Sequence, residues 1–282
     1  MFDLAVFLKQ TSLPAVMGIV NASGESFSEK GRSSADSALA RALAHLDCGA
    51  DLLDIGGEST RPGSKETAGD LEMNRVIPVV KNLRKVHPEV VLSVDTRHGE
   101  VAYEALRQGV QIINDVSMLR HSPEIADMVA DFEAGLIISH SRGTPENMQS
   151  DEFCRYDAPI AEVVAGELAA AYEKALAAGV KAENILLDPG IGFAKTAEQC
   201  WELLDGLEKV APLSRMLVGV SRKSFLGALT GESDPVRRNG ETLALELILA
   251  ERGVGMIRTH GVRELHNGLL VMERMRGKGA AQ

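Results

Sequence analysis

The stretch VVLSVDT, residues Val90–Thr96, shows the pattern that decides the fold: a short apolar run that ends directly on polar side chains. Such runs recur along the chain and are separated by segments rich in Ala, Leu and Glu, whose apolar positions repeat at helical spacing. Examples of these segments are Ser34–Leu46, Ala158–Ala178 and Glu241–Ala250. The short runs are Ala15–Val20, Asp51–Ile55, Val90–Val94, Gln111–Ile113, Leu136–Ser139, Ile185–Leu187, Met216–Val220 and Gly255–Arg258. A strand followed by a helix eight times predicts an α/β protein with a (β/α)8 TIM barrel.

The position of the polar residues favours the barrel over the alternative, a doubly wound open sheet. Every predicted strand delivers a polar group at its C-terminal end, where barrel enzymes build their active sites. An open sheet would use mainly the strands at its switch point. The polar residues are Asn21; Glu58, Ser59 and Thr60; Asp95 and Thr96; Asn114 and Asp115; His140; Asp188; Ser221, Arg222 and Lys223; and Arg258 and His260. We therefore expect one active site at one end of the barrel.

The composition narrows the class of protein. The 282 residues include 30 basic and 40 acidic side chains, and the net charge of −10 disfavours a nucleic-acid-binding surface. Three cysteines without C-x-x-C spacing favour neither disulfides nor a zinc site. No basic leader and no apolar run of membrane-spanning length occurs, so we expect a soluble, cytoplasmic protein without membrane contacts. Since no linker is visible, we expect one domain over residues 1–282, with the barrel at about 15–275 and a short extension at each end.

Seven motifs at these strand ends form a recognisable set. They are MGIVNASGESFSEKG (Met17–Gly31), DIGGESTRPG (Asp54–Gly63), SVDT (Ser93–Thr96), INDV (Ile113–Val116), LDPGIGFAKT (Leu187–Thr196), GVSRKSFLG (Gly219–Gly227) and IRTH (Ile257–His260). In this order, and over nearly its full length, the chain resembles the dihydropteroate synthase family of pterin-binding barrel enzymes. The resemblance implies a transferase of folate biosynthesis that is a sulfonamide target. It would join 6-hydroxymethyl-7,8-dihydropterin pyrophosphate to p-aminobenzoate and release pyrophosphate.

The first substrate explains one group of polar residues. A pterin presents N–H donors beside a ring carbonyl, so its pocket needs carboxylates, an amide and a cation. The resemblance assigns the pterin ring to Asp95, Asn114, Asp188 and Lys223, with Asp188 on the amino-pyrimidine edge. Asp115 has two open interpretations, a site residue or a cap of the following turn.

The pyrophosphate is expected near the last strand. Arg258 and His260 alternate across Thr259, so both point to the same side, and barrels commonly bind phosphate near strands 7 and 8. The resemblance adds Arg61 to this group and implies a Mg²⁺ ion bound by Asn21. The expected catalytic residues are Lys223, Arg258, His260 and Asp95.

The p-aminobenzoate site is expected to draw on the segments that follow four of the strands. Its predicted residues are Thr60, Arg61, Pro62, Phe27, Phe193 and Ser224. The resemblance also implies a homodimer formed through the late helices, and small-molecule substrates as the other partners.

The chain departs from the family pattern at several positions. Ser139-His140-Ser141 replaces the usual Met-His-Met, Gly261 replaces an Asp, and the loop Gly24–Gly31 lacks the usual Pro. These departures keep open a non-catalytic or divergent pterin-binding paralogue. A pterin-dependent methyltransferase is the other alternative. The motifs ESTRPG and SRKSF speak against it, since that reaction has no arylamine carboxylate or pyrophosphate to bind.

Overall fold

The fold is a barrel of parallel strands, described by a computed structural model over residues 2–11, 14–22, 34–59 and 63–277. The strands are β1 (Ala15–Asn21), β2 (Leu52–Gly56), β3 (Val91–Asp95), β4 (Ile112–Asp115), β5 (Gly135–Ser139), β6 (Ile185–Asp188), β7 (Leu217–Val218) and β8 (Met256–Thr259). Neighbouring strands follow the order β6-β5-β4-β3-β2-β1-β8-β7. A parallel bridge between Leu187 and Met216 joins β6 to β7 and closes the ring. The predicted barrel is confirmed, and the open sheet is excluded.

All helices except the first follow the strands and cover the outside of the barrel. They are α1 (Leu4–Gln10), α2 (Ser34–Asp47), α3 (Gly69–Val86), α4 (Gly99–Arg107), α5 (Ile125–Asp131), α6 (Ile160–Ala177), α7 (Ala197–Asp205), α8 (Leu207–Val210), α9 (Ser224–Thr230), α10 (Asn239–Arg252) and α11 (Val262–Met275). Three 3₁₀ turns lie at Ala182–Asn184, Leu213–Arg215 and Pro235–Arg237. In the described part of the chain, no helix is both long enough and apolar enough to span a membrane.

The lower half of the barrel interior is apolar. Its side chains are Ala15, Met17, Leu52, Ile112, Ile137, Leu186, Leu217 and Met256, all buried. Helix α1 covers the bottom with Leu4 and Leu8, and the Asn184 amide fixes it by accepting from the Leu4 N–H at 2.9 Å. The N-terminal end of the barrel is therefore packed shut, which leaves the other end for ligands.

The upper half of the interior is polar. The side chains of a strand alternate between its two faces, so every second residue of a strand points inward. Counting by two from the apolar layer, the inward positions become Asp54, Ser93, Asn114, Asp188 and Arg258. The opposite positions, such as Ile55, Val94 and Ile113, join the main hydrophobic core between the sheet and the helices. The strands thus direct polar groups to the C-terminal mouth of the barrel, as predicted.

One buried carboxyl on the outer face makes folding depend on pH. Burial raises the pKa of Glu246 on α10 to about 8, against an ordinary value of 4.5, although Thr259 donates a hydrogen bond to it. A carboxyl whose pKa is raised by folding stabilises the folded state fully below about pH 4.5, and this contribution is lost as the pH rises through 8.

We therefore expect Glu246→Gln, which mimics the neutral carboxyl, to melt at the same temperature as the wild type at pH 4.5. At pH 9 it should melt higher by on the order of 5 °C. Thermal melts at the two pH values check this result. Glu251→Gln, at an exposed position of the same helix, is the control. Equal stability of wild type and Glu246→Gln at pH 9 would contradict the assignment.

Candidate active site

A buried ionic network lies at the centre of the barrel mouth. The Arg258 guanidinium donates from Nε to Asp54 Oδ2 at 2.6 Å and from Nη2 to Asp95 Oδ2 at 2.7 Å. Asn114 Nδ2 donates to the same Asp54 oxygen at 3.1 Å. The Asp54 side chain is fully buried, and its second oxygen, Oδ1, has no hydrogen-bond partner among the described residues. Asp54, which was not among the predicted site residues, therefore links Arg258 to Asn114, and Arg258 links both to Asp95.

Asp188 continues this polar surface on the other side of Asn114. Its Oδ1 accepts from the backbone N–H of Gly190 at 2.8 Å. The Ser139 hydroxyl lies 3.4 Å from both Asp188 Oδ2 and Asn114 Oδ1. A hydroxyl has only one proton, so it can donate to only one of these two oxygens. The other oxygen remains an acceptor for a ligand N–H group.

Burial shifts the pKa values of these groups. Burial raises the pKa of Asp95 to about 7; Arg258 opposes this rise, and Asp54 reinforces it. Burial also raises the pKa of Asp188, and Lys223 opposes the rise. For Arg258, burial alone would lower the pKa, but the neighbouring carboxylates outweigh it and raise the pKa. A ligand with several N–H donors satisfies this carboxylate-rich pocket better than an anion would.

Lys223 and Phe193 form the side of the mouth near β7. Lys223 is the N-cap residue of α9, directly before Ser224. Its ammonium lies 4.5 Å from the centroid of the Phe193 ring, a cation–π contact, and it donates to the Ile191 carbonyl. Burial lowers the pKa of Lys223, and Asp188 partly restores it. The predicted residues Lys223, Phe193 and Asp188 are therefore neighbours.

The loop that follows β6 is held by side chains from several elements. Gly190 has φ +63°, and a Cβ there would lie 1.8 Å from the His140 carbonyl oxygen, so only glycine fits. The Lys195 ammonium donates to the carbonyls of Gly190 and Phe193 at 3.1 and 3.0 Å. Tyr156 donates to the Ala194 carbonyl at 3.1 Å. These contacts fix Phe193 on the backbone that also carries Asp188.

Lys195 depends in turn on His140. Its ammonium lies 2.9 Å from His140 Nδ1, and Glu167 lies 3.0 Å from His140 Nε2. Burial lowers the pKa of His140 to about 4, so the ring is neutral at pH 7, with its proton on the nitrogen that faces Glu167. Burial also lowers the pKa of Lys195 to about 7. The histidine that follows β5 therefore supports the loop.

The structure describes some of the remaining predicted residues and not others. His260 Nδ1 lies 3.0 Å from the Ser221 hydroxyl, which also accepts from the His260 N–H at 3.1 Å. Asn21 is the last residue of β1. It comes four residues after Met17 and therefore lies on the same, inward face of the strand. Phe27, Thr60, Arg61 and Pro62 lie outside the described residues.

Asp115 acts as a cap. It has the outward parity of Ile113, and its two oxygens accept from the backbone N–H groups of Ser117 at 2.7 Å and Leu119 at 2.5 Å. Of the two interpretations left open by the sequence, the structure supports the cap of the following turn.

Two serines occupy the positions of the expected methionines. Ser139 faces the pocket, as described above, whereas the Ser141 hydroxyl donates to the Val116 carbonyl at 2.7 Å and accepts from Arg120 at 3.0 Å. Ser141 thus supports the loops after β4 and β5, whereas Ser139 lies between the two acceptors Asn114 and Asp188.

Sequence comparison gives the chain clear relatives. A family model described as pterin binding enzyme matches residues 17–260. The chain is 36% identical over 266 residues to the dihydropteroate synthase of Bacillus subtilis, covering 94% of this chain and 89% of the relative. It is 37% identical to the folic acid synthesis protein fol1 of Schizosaccharomyces pombe over 88% of this chain. The matched region is 34% of fol1, so the chain spans about a third of that relative's length.

Solved structures give the same result. A dihydropteroate synthase of Xanthomonas albilineans, determined with 4-aminobenzoic acid, superposes with a TM-score of 0.86 at 37% identity and covers 93% of both chains. The Yersinia pestis dihydropteroate synthase, in complex with a sulfonamide drug, superposes with a TM-score of 0.83 at 36% identity and covers 94% of both chains.

Proposed function

The chain belongs to the pterin-binding enzyme family and, within it, to the dihydropteroate synthases, and from this premise we propose how its own residues perform the condensation. The reaction joins 6-hydroxymethyl-7,8-dihydropterin pyrophosphate and p-aminobenzoate to give 7,8-dihydropteroate and pyrophosphate. The observation that carries the proposal is the buried row of acceptors at the mouth, formed by Asp95, Asn114 and Asp188 with Lys223 beside it. These groups complement the N–H edge and the carbonyl of a pterin.

The pterin ring lies in the polar upper half of the barrel. Asp188 Oδ2 and Asn114 Oδ1 accept from its N–H donors, since each oxygen has two lone pairs and Ser139 supplies one proton to only one of them. Lys223 donates to the ring carbonyl side. Binding in this pocket fixes the methylene carbon at the mouth, and this orientation contributes several kcal/mol to catalysis.

Bond formation proceeds with the leaving group first. The C–O bond to pyrophosphate breaks with its electron pair on oxygen, and the pterin stabilises the cationic methylene carbon. The arylamine nitrogen then forms the C–N bond and loses a proton. Arg258 and His260, with Arg61, stabilise the charge that develops on the departing pyrophosphate. No nucleophile from the protein is required.

A Mg²⁺ ion fits the residues at the mouth. Mg²⁺ prefers oxygen ligands and usually takes only one or two from the protein, with substrate phosphates and water as the rest. The Asn21 side chain, at the end of β1, offers such an oxygen. When bound, the ion supplies positive charge to the pyrophosphate.

The p-aminobenzoate ring packs beside Phe193, with its carboxylate near Ser224 and its amine near Lys223. Phe27, Thr60, Arg61 and Pro62 complete this site in the proposal.

One assay tests the function against both alternatives. Purified protein is mixed with the pterin pyrophosphate, p-aminobenzoate and Mg²⁺, and pyrophosphate release is followed. We expect release only with both substrates and a strong reduction when EDTA removes Mg²⁺. Pterin binding by calorimetry without any release would support the non-catalytic paralogue. Methyl transfer from a methylated pterin to a corrinoid partner, again without release, would support the methyltransferase.

A homodimer through the late helices is part of the proposal. Large apolar side chains are exposed on α10 and α11, among them Ile248, Leu270 and Val271, the last with 64% of its surface accessible. A second copy of the chain is the occupant that the family relationship favours. We expect Val271→Glu to convert a dimer to a monomer in sedimentation velocity. Leu71→Glu, at an exposed apolar position on α3, should leave the dimer intact. A wild-type monomer at micromolar concentration would contradict the proposal.

A cytoplasmic location of the protein remains a prediction.

A further inference from the structure

The loop between β3 and α4 carries a buried arginine that belongs to neither substrate site as described above. Arg97 follows Asp95 by two residues, and its side chain is 7% exposed. It binds Glu58 through two parallel contacts, Nε to Oε2 and Nη2 to Oε1, both at 3.1 Å. Its third nitrogen, Nη1, donates to Glu66 Oε1 at 2.8 Å. One guanidinium therefore binds two carboxylates eight residues apart.

The two carboxylates bracket the segment that carries Thr60, Arg61 and Pro62. Glu58 Oε1 also accepts from the backbone N–H of Thr67 at 2.7 Å, which ties the start of the segment to its end. His98 Nε2, next to Arg97, lies 3.0 Å from the Thr67 carbonyl oxygen. Both ends of the β2–α3 loop are thus attached to the residues that directly follow Asp95.

Arg97 and Glu58 also border the mouth of the barrel. A small cavity lies between Glu58, Arg97, Ser117, Ser141, Pro145 and Phe193. Arg97 and Glu58 line this cavity together with Phe193, whose ring packs on the Lys223 ammonium. The attachment point therefore lies beside the region proposed for the arylamine ring.

We infer that Arg97 is a positioning residue that holds the β2–α3 loop in register with β3, so that the arylamine site and the pterin site keep a fixed separation. The inference rests on the proposed function. In this proposal Arg97 acts through the loop that it holds and not through direct contact with a substrate. Its planar guanidinium is suited to the role because it binds one carboxylate through two nitrogens and still offers a third. Lysine, with a single ammonium, keeps the charge but loses the paired geometry.

Arg97→Gln tests the inference because it should change the KM for p-aminobenzoate and kcat by different factors. Displacing a loop that positions a substrate weakens the binding of the substrate that the loop contacts. We expect the KM for p-aminobenzoate to rise about tenfold or more. The affinity for the pterin without its pyrophosphate, measured by calorimetry, should stay within about twofold of the wild type, and kcat should fall by less than KM rises, because Arg61 on the same loop is one of several groups proposed to stabilise the pyrophosphate. Arg97→Lys should give an intermediate KM.

Controls separate positioning from general damage. Arg84→Gln removes another arginine that binds several acceptors, including the Val90 carbonyl at 2.6 Å and the Gln111 side chain at 2.5 Å, far from the mouth. It should leave the KM for p-aminobenzoate unchanged. If Arg97→Gln does not fold, Glu66→Gln is the second variant. The Glu66 side chain is half exposed, so we expect its substitution to cost little stability and to raise the KM for p-aminobenzoate about threefold. An unchanged KM in the folded variant, or a parallel loss of kcat and of both affinities, would overturn the inference.

A second measurement does not depend on turnover. Lys65 is exposed within the loop, so trypsin cleavage after it reports how firmly the loop ends are held. We expect cleavage several-fold faster in Arg97→Gln than in the wild type, and wild-type rates in Arg84→Gln. If the wild type releases no pyrophosphate, the proposed function fails while this readout still tests the attachment. Equal cleavage rates would overturn the attachment alone.

Discussion

Arg258→Ala is expected to lower kcat by roughly 10²–10³, the usual effect of removing a group that stabilises charge in the transition state. The structure adds a second consequence. Arg258 pairs with Asp54 at 2.6 Å and with Asp95 at 2.7 Å inside the barrel. Its removal leaves two buried carboxylates without their cation, and breaking a buried pair in this way costs about 3–5 kcal/mol of folding free energy.

The two consequences can be separated in one experiment. Asp54→Asn removes one of the uncompensated charges while keeping the shape of the side chain. In the double variant with Arg258→Ala we expect the melting temperature to recover in part and kcat to stay low. Steady-state pyrophosphate release and thermal melts measure the two effects. Recovery of kcat together with the melting temperature would show that Arg258 acts only by holding the carboxylates.

The second large effect concerns Asp188. In Asp188→Asn one acceptor oxygen becomes an N–H donor that faces the N–H edge of the pterin, and an unpaired buried donor costs about 1–3 kcal/mol. We expect the affinity for the pterin pyrophosphate to fall by about tenfold or more. The measurement is calorimetry with the pterin pyrophosphate alone.

Asp115→Asn is the matched control, since it makes the same chemical change at the end of β4, two strands away from β6 in the barrel. Asp115 faces outward and accepts hydrogen bonds from its own loop, from the backbone N–H groups of Ser117 and Leu119 and from the Ser117 hydroxyl. This variant should lose stability and keep its pterin affinity. Unchanged affinity in a folded Asp188→Asn would remove Asp188 from the pterin site.

Alternation along each strand was available to the sequence analysis, and it explains what could be predicted. Arg258 and His260 were placed on one side because they are two residues apart. The same count from Leu52 gives Asp54, an acidic residue inside an apolar run. A buried carboxylate at an inward position needs a partner, so this signal could have identified Asp54.

The sequence by itself determined the order of strands and helices, the apolar lower barrel, and the polar groups at each strand end. These are local properties, because the alternation along a strand and the repeat of a helix involve only residues close in the chain. The tertiary structure alone decided which polar groups meet. Arg258 and Asp54 are 204 residues apart, Lys195 and His140 are 55 apart, and Arg97 meets Glu58 across two loops. Such contacts depend on the register and closure of the barrel, which the packing of all eight strands sets together and which no local pattern encodes.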